Sequence, residues 1–503
     1  SLNESRDMET AQARLKIFEK ILETLRDNEV PAVHRLLRAS HNRKESAEAL
    51  LERVEAAASG TYHPRNYTST DYDLAAYLYE CGGCAAVHAA NHSYLALPAE
   101  KTIRPMRRDF ELRISSSGIR VGDHEQNIAM HFRPREDQSA HAPRPQRRRA
   151  GVSLAIDETA GQGQPCYLPC TDEIGGMCLE HILRYLAEHG SVTMGDKLSD
   201  AMAIAQAVRE GKIHVGKEFT CAAINVLTEE GYSAKPIHLS ATCKHGDVHH
   251  SARLILSCIE AWKRSEWGEK HVGPLWAISS DGDGTRRAAM YMICMEKELS
   301  KDSGLFRRLS GCRGLNLFVG EGDITMDFDY RHIWKRICTL LCSKEGMMAN
   351  GICVNKQLLA SWLPKLTQYD WSDVSVHALL NPKDPQDVPR AVMLLKRVAE
   401  LRNLDATQFS PADHIIHRAL SLVGEALHSL LEPFTNPSLS LSAQITHIVK
   451  SAHLFAALYM QHRTDFMSNQ LYGDLQCMLK TAVFHVAKTQ ELDPDQKVFL
   501  CLL

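Results

Sequence analysis

The chain has 503 residues, 24% of them charged and 44% hydrophobic; this is a globular composition too long for one core, so two to four domains are expected. The formal net charge of -3 excludes a global electrostatic pull toward nucleic acid, so any nucleic-acid surface has to be a local patch. The 15 cysteines follow no regular spacing, no apolar run approaches the ~20 residues of a membrane span, and the charged N-terminus lacks an apolar signal core. Reduced thiols in the nucleus or cytoplasm, and no membrane partner, are the expectation.

Residues 3–58 read as helical. Leu15, Phe18, Ile21, Leu22 and Leu25 form one narrow apolar stripe, and a second stretch starts at Pro31 and continues through Ala47, Leu50, Leu51 and Val54. A helical hairpin over 1–60 satisfies this pattern; a dimerising coiled coil would need several heptads. A loop at 60–70 leads into a helix at Asp73–Tyr79, a Gly82-Gly83 turn, a helix at Ala85–His92 and a stop at Leu97-Pro98. A basic helix then opens at Ala99, carrying Lys101, Arg104, Arg107 and Arg108, with Pro105 as a kink. Helix, glycine turn, helix and basic helix over 61–131 resembles a helix-turn-helix, with those four cations as DNA contacts; a packed module with solvent-facing arginines fits equally well. Residues 132–150, with Arg133, Pro143, Pro145 and Arg147 to Arg149, read as a basic linker that could also serve as a phosphate contact or nuclear address.

From 151 the pattern turns mixed α/β. Gly151-Val-Ser-Leu-Ala-Ile-Asp-Glu and Pro274-Leu-Trp-Ala-Ile-Ser-Ser-Asp-Gly are short apolar strands that deliver Asp157 and Asp281 to a sheet edge. Side by side, two such carboxylates repel unless a cation lies between them, and hard divalent ions suit that oxygen-rich arrangement; isolated strand-end aspartates beside turns are the plainer reading. Helices are expected near 197–209 and 218–230, a strand at 235–241, an amphipathic helix at His250–Arg264, a helix at Arg286–Glu298 and a strand at Leu315–Val319. Beyond 335 the chain reads as almost entirely helical, with segments near 388–402, 411–432, 440–462 and 466–490.

Two further constellations stand out. Asp329 and His332 are spaced i, i+3 and share a helix face, as a phosphate-facing pair or as a cap and a packed ring, with Lys335 and Arg336 extending the positive charge. Cys178-Leu-Glu-His181 is a C-x-x-H pair, and Cys243 is followed by His245, His249 and His250. Cys178 and His181 with Cys243 and His249 would make a Cys₂His₂ set for structural Zn²⁺, with Cys166 and Cys170 in reserve; packed cysteines and surface histidines are the alternative.

Several of these blocks align, in order, with one family. Leu154-Ala-Ile-Asp-Glu resembles the first-acid strand of cut-and-paste (DDE) transposases of the P-element and THAP-related kind. Ser280-Asp-Gly-Asp-Gly-Thr-Arg resembles their second-acid strand, and Asp329-Tyr-Arg-His-Ile-Trp-Lys-Arg the Asp-x-x-His-x-x-Lys box that follows. Leu95-Ala-Leu-Pro-Ala-Glu-Lys-Thr-Ile-Arg resembles the tail of the helix-turn-helix that precedes their nuclease domain. Over roughly residues 70 to 500 the chain also resembles transposase-like proteins of mushroom-forming fungi, which share a Leu-Tyr-x-Asp stretch found here at Leu471-Tyr-Gly-Asp.

The resemblance implies a ribonuclease-H-like mixed sheet over 151–340 with a large helical insertion over 341–503, so α/β joined to all-α. It implies Mg²⁺ or Mn²⁺ held by Asp157 and Asp281, with Glu158, Asp283, Asp329 and His332 in support. It implies double-stranded DNA (transposon ends) as partner, a homo-oligomeric assembly and a nuclear location. The family's third acid is a glutamate in a Glu-x-x-Phe-x-x-Arg helix that packs on the sheet. No such motif occurs here and the chain ends at Leu503, so the triad is expected to be incomplete and the chain inactive as a nuclease. Were cleavage nonetheless found, Glu425 and Glu432 would be the first candidates for the third acid. A THAP zinc finger is also missing, Cys81 and Cys84 forming a lone C-x-x-C. The alternative function is a domesticated, non-enzymatic DNA-binding protein or interaction scaffold.

Overall fold

The computed structural model describes residues 2–28, 33–42, 45–61, 67–91, 97–108, 112–134, 149–168, 171–189, 198–228, 233–371, 375–381, 384, 387–407, 409–495 and 498. It divides into two compact units, Ser1–Glu111 and Leu112–Leu503.

The first unit is helical. Helices α1 (Leu2–Asp27), α2 (Val33–Asn42) and α3 (Ala47–Ala58) bury a small core of Ile21, Leu36, Val54 and Ala57. The single stretch expected from Pro31 onward is thus two helices, because Ser46 caps α3 by accepting from the Ala49 N–H; Pro31 itself lies outside the described residues. Helix α4 (Ser69–Asn91) is broken by Gly83, whose φ of 64° and ψ of -159° only glycine adopts readily. It packs on α5 (Glu100–Arg108) around Ala75, Val87, Ala90, Leu97 and Ile103.

The second unit is built on a five-stranded mixed sheet. The boundary at 111/112 falls inside the expected 61–131 segment because α6 (Val121–Phe132) packs on the sheet's outer strand and on α9. The strands are β1 (Val152–Ala160), β2 (Glu218–Val226), β3 (Lys235–Thr242), β4 (Leu275–Ser280) and β5 (Thr325–Phe328), in spatial order β3-β2-β1-β4-β5. β2 runs antiparallel to both its neighbours, whereas β1, β4 and β5 are parallel. Every residue of β4 is buried, as befits a parallel strand covered on both faces.

Two expectations fail here. Residues 218–226 are a strand, not a helix; Ala222 to Val226 are buried between neighbouring strands, and sheet pairing overrides the helical propensity of the two alanines. The strand expected at 315–319 is only a two-residue ladder, Phe318–Val319 with Lys297–Glu298, and the fifth sheet strand comes later, at 325–328.

Between β1 and β2 lie a hairpin (Cys166–Leu168 with Glu173–Gly175) and helices α7 (Leu179–His189) and α8 (Leu198–Arg209). Helix α9 (Val248–Arg264), capped by Asp247, crosses from β3 to β4 and packs against α10 (Gly284–Cys294). After α11 (Gly304–Leu309) and β5 comes α12 (Tyr330–Leu341). Helices α13 (Lys356–Trp362), α14 (Val376–Leu380), α15 (Val388–Glu400), α16 (Pro411–Thr435) and α17 (Leu441–His462), with a hairpin at 347–354, form a helical body continuous with the sheet's core.

Helix α18 (Asn469–Leu492) packs on α17 and extends onto β5, α11 and α12. The helical stretch expected as one insertion over 341–503 therefore returns to the sheet at α18. Two buried lysines anchor α18. Lys488 donates to the Trp276 and Asp323 carbonyls at 3.0 and 2.6 Å, and Lys480 donates to the Phe318 carbonyl. Burial pulls their ammonium groups down, Lys480 to about 8 and Lys488 to about 7.

Candidate active site

The parallel ladder between β1 and β4 ends at the pair Ile156 and Ser280. Asp157 is the next residue on β1, which runs on to Ala160 beside β2, and Asp281 opens the turn after β4. Both acids thus leave adjacent parallel strands at the same end. The carboxylate oxygens of Asp157, Glu158 and Asp281 come within 4.8 Å of one another.

Buried Arg286 holds this edge together. It donates to the Ile156 carbonyl and the Ser280 hydroxyl, each at 3.0 Å, to Asp281 at 3.4 Å, and to Glu158. Asp281 also accepts from the Ser280 hydroxyl and the Asp283 N–H at 3.1 Å, while Asp283 caps α10 through the Arg286 N–H at 3.0 Å. Asp283 therefore shapes the turn.

Gly282, with φ of +93°, makes that turn, and a Cβ there would press on Arg287 at 3.1 Å and on Asp474 at 3.2 Å. Asp474, on α18 and 1% exposed, accepts two hydrogen bonds from Arg287 at 2.7 and 2.8 Å and a third from Arg336. The hydrogen bond to Asp474 raises the Arg287 guanidinium further above its ordinary range. Arg336, expected to face phosphate, is instead committed to this carboxylate, and its half-exposed neighbour Lys335 is also engaged. Arg286, Arg287 and Asp474 were missed as site residues, although Arg286 closes the Ser-Asp-Gly block and Asp474 the Leu-Tyr-Gly-Asp stretch.

Asp329 sits beside the same edge. Its N–H donates to the Ser280 carbonyl at 3.1 Å, its carboxylate caps α12 through the Arg331 N–H at 2.8 Å, and it lies 2.7 Å from His332 Nδ1. The hydrogen bond to Asp329, joined by its charge and that of Asp281, raises His332 above its ordinary range despite partial burial. Burial works to raise Asp329, but its bonds to His332 and the Arg331 N–H outweigh this and hold the carboxyl low. Cap and phosphate-facing cation are both compatible with this geometry.

A cleft opens beside the carboxylates, lined among others by Glu158, Thr220, Lys244, His250, Thr285 and Arg286. Glu425 and Glu432 are not part of the carboxylate group: Glu425 pairs with Lys450 and Arg402, and Glu432 with His428 and Asn436.

Of the expected DNA contacts in the first unit, Lys101 and Arg104 are exposed on α5, and Arg104 reaches Glu100 at 3.4 Å; the side chains of Arg107 and Arg108 lie outside the described residues. So does most of the basic linker, but Arg149 donates to the Glu269 carbonyl at 3.2 Å. Among the expected zinc ligands, Cys178, His181 and Cys243 come together, but His249 is exposed on the first turn of α9 and outside the group, because the helix turns it away from the end of β3. His214, which had not been singled out, and His245 lie beside Cys243 instead. Cys166 is exposed on its hairpin, Cys170 lies outside the described residues, and Cys81 and Cys84 are exposed. No helix among the described residues is long and apolar enough to cross a membrane.

No family model matches the sequence, and no curated protein matches it. A solved structure, the Drosophila P element transposase strand transfer complex, superposes with a TM-score of 0.52 at 12% identity over 90% of this chain and 88% of that chain. The chain shares the fold of that transposase, a mixed α/β architecture with a central mixed sheet and many helices.

Proposed function

We propose that this is a DNA-binding, transposase-like protein whose Asp157–Asp281 pair holds divalent cations for DNA cleavage and strand transfer. The carrying observation is the convergence of Asp157, Glu158 and Asp281 within 4.8 Å where two adjacent parallel strands end. The strand order β3-β2-β1-β4-β5 with β2 alone antiparallel supports a ribonuclease-H-like core, and the fold shared with the P element transposase supports a DNA substrate. The donor set is all carboxylate, the chemistry Mg²⁺ or Mn²⁺ selects. When bound, such an ion supplies a Lewis acid and a means of activating water or a 3′-hydroxyl.

The chain's own residues do the rest. Asp157 and Asp281 are the ligands, Arg286 fixes the strand ends that present them, and Asp474 with Arg287 and Arg336 fixes the Gly282 turn. Arg286 pairs with Glu158 and, at 3.4 Å, with Asp281, and two arginines hold Asp474, so Glu158 would have to leave Arg286 to serve as a third ligand. Cleavage is accordingly slow. The same observation favours a second reading, a domesticated DNA-binding protein or scaffold without nuclease activity. Nicking of supercoiled DNA in Mg²⁺ that requires Asp157 and Asp281 selects the first; retained DNA binding without nicking selects the second. We place the protein in the nucleus, bound to double-stranded DNA as a homo-oligomer.

DNA binding is assigned to the basic helix α5. Replacing Lys101, Arg104, Arg107 and Arg108 by Ala should weaken binding and flatten the slope of log K against log salt by about 0.9 for each phosphate no longer neutralised. An unchanged slope in a salt titration assigns the phosphate-binding surface elsewhere.

A further inference from the structure

We infer that Cys178, His181, His214 and Cys243 form a tetrahedral zinc site that fastens the β1–β2 insertion to the end of β3. The two sulfurs are 3.4 Å apart, far beyond the ~2.05 Å of a disulfide. His181 Nδ1 lies 3.2 Å from the Cys178 sulfur and 3.6 Å from that of Cys243, and His214 Nδ1 lies 3.5 Å from the Cys243 sulfur. Zinc bonds of about 2.3 Å to sulfur and about 2.0 Å to nitrogen put the corners of a tetrahedron roughly 3.3–3.8 Å apart. The three separations from the Cys243 sulfur fall within that range and the His181–Cys178 separation lies just below it; His214 joins the group through Cys243.

The backbone builds this arrangement from three places in the sequence. Met177 bridges Val215, the Cys178 N–H donates to the His214 carbonyl at 2.8 Å, and the Gly216 N–H donates to the Gly176 carbonyl at 2.9 Å. These bonds lay His214 against the start of α7, where Cys178 and His181 sit, and the rings of His181 and His214 stack with centroids 3.9 Å apart. Cys243 arrives as the first residue after β3.

A structural metal also suits the surroundings. The insertion's own core is small, namely Met177, Ile182, Ile204, Ala207 and Ile213, and it is separate from the main core of the unit. So little apolar burial leaves a small module in need of a cross-link. Two other groups compete for the fourth position. Glu180 accepts from the Cys178 thiol at 2.6 Å and from Thr242 at 3.3 Å and lies near His250 at 3.8 Å, so its oxygens already have partners facing the cleft. His245 Nδ1 lies 3.3 Å from the Cys243 sulfur, but the ring is exposed and the same nitrogen already lies 2.9 Å from the Cys243 carbonyl. His214 is half-buried and is the imidazole packed against His181. On binding, the two thiols release their protons to solvent and the two imidazoles coordinate as neutral rings.

The test is metal content of the full chain, purified without chelator from zinc-supplemented cells. One zinc per chain is expected, lost in Cys178→Ser, Cys243→Ser and His214→Ala and kept in Glu180→Gln and His245→Ala. Substitution by Co²⁺ should give a thiolate-to-cobalt charge-transfer band. A measurement on the wild type alone guards against variants that fail to fold: chelation by EDTA should raise the rate at which N-ethylmaleimide labels Cys243. No zinc above background, or recovery of Cys178 and Cys243 as a disulfide, overturns the site. Zinc lost in His245→Ala or Glu180→Gln but kept in His214→Ala overturns the assignment of the fourth ligand.

Discussion

Asp474→Ala should destabilise the sheet unit by about 3 kcal/mol, the low end of the range for removing one partner of a buried ion pair. The carboxylate side chain is only 2% exposed, and two guanidinium groups converge on it. Removing it leaves Arg287 and Arg336, with side chains 17% and 33% exposed, without their shared carboxylate; the charges of Asp283 and Asp281 near Arg287 and the partial access of Arg336 to water keep the loss from being larger. For a cooperative unit of this size the unfolding midpoint should fall on the order of 4 °C. Asp474→Asn, which keeps acceptors but not charge, should fall between. Because Arg287 also donates to the Gly282 carbonyl, the same substitution should loosen the turn that presents Asp281. A midpoint unchanged in Asp474→Ala would mean that the two arginines find other partners and that the clasp carries no stability.

Nicking of supercoiled DNA in Mg²⁺ or Mn²⁺ should fall to the metal-free level in Asp157→Ala and in Asp281→Ala, a loss on the order of 10²–10³-fold, or about 3–4 kcal/mol of transition-state stabilisation. The two acids act as one site, so the double variant should be no worse than either single one. Wild-type turnover should be slow, because Glu158, the third acid of the group, is paired with Arg286. Nicking that survives both substitutions would come from another site or a contaminant.

The two aspartates were legible because each follows a short apolar run, and such runs end at the rim of a sheet. Adjacency of their strands was legible from the amphipathic helix between them, which appears as α9. What failed was local: an apolar run such as Cys221 to Val226 has no period that separates a buried strand from a helix, and only its pairing with β1 and β3 decides. The fifth strand, four residues long and holding Asp327 among apolar neighbours, carries too little pattern to be found. The clasp was illegible for another reason. Arg287 and Asp474 are 187 residues apart, and nothing in a helical stripe shows that α18 returns to the sheet. Likewise His214, 29 residues before Cys243, has no spacing signature and reaches the cysteines only through the backbone bonds at 176–178 and 214–216.

The most direct test of the central claim is Mn²⁺ binding by the full chain, followed by electron paramagnetic resonance, in the wild type, Asp157→Ala, Asp281→Ala and the double variant. Mn²⁺ favours carboxylates over the thiolate-rich cluster, so the signal reports on the acids. The wild type should bind Mn²⁺, and each single substitution should weaken that binding at least about ten-fold, or roughly 1.4 kcal/mol. Identical binding curves for the wild type and the double variant would contradict the account.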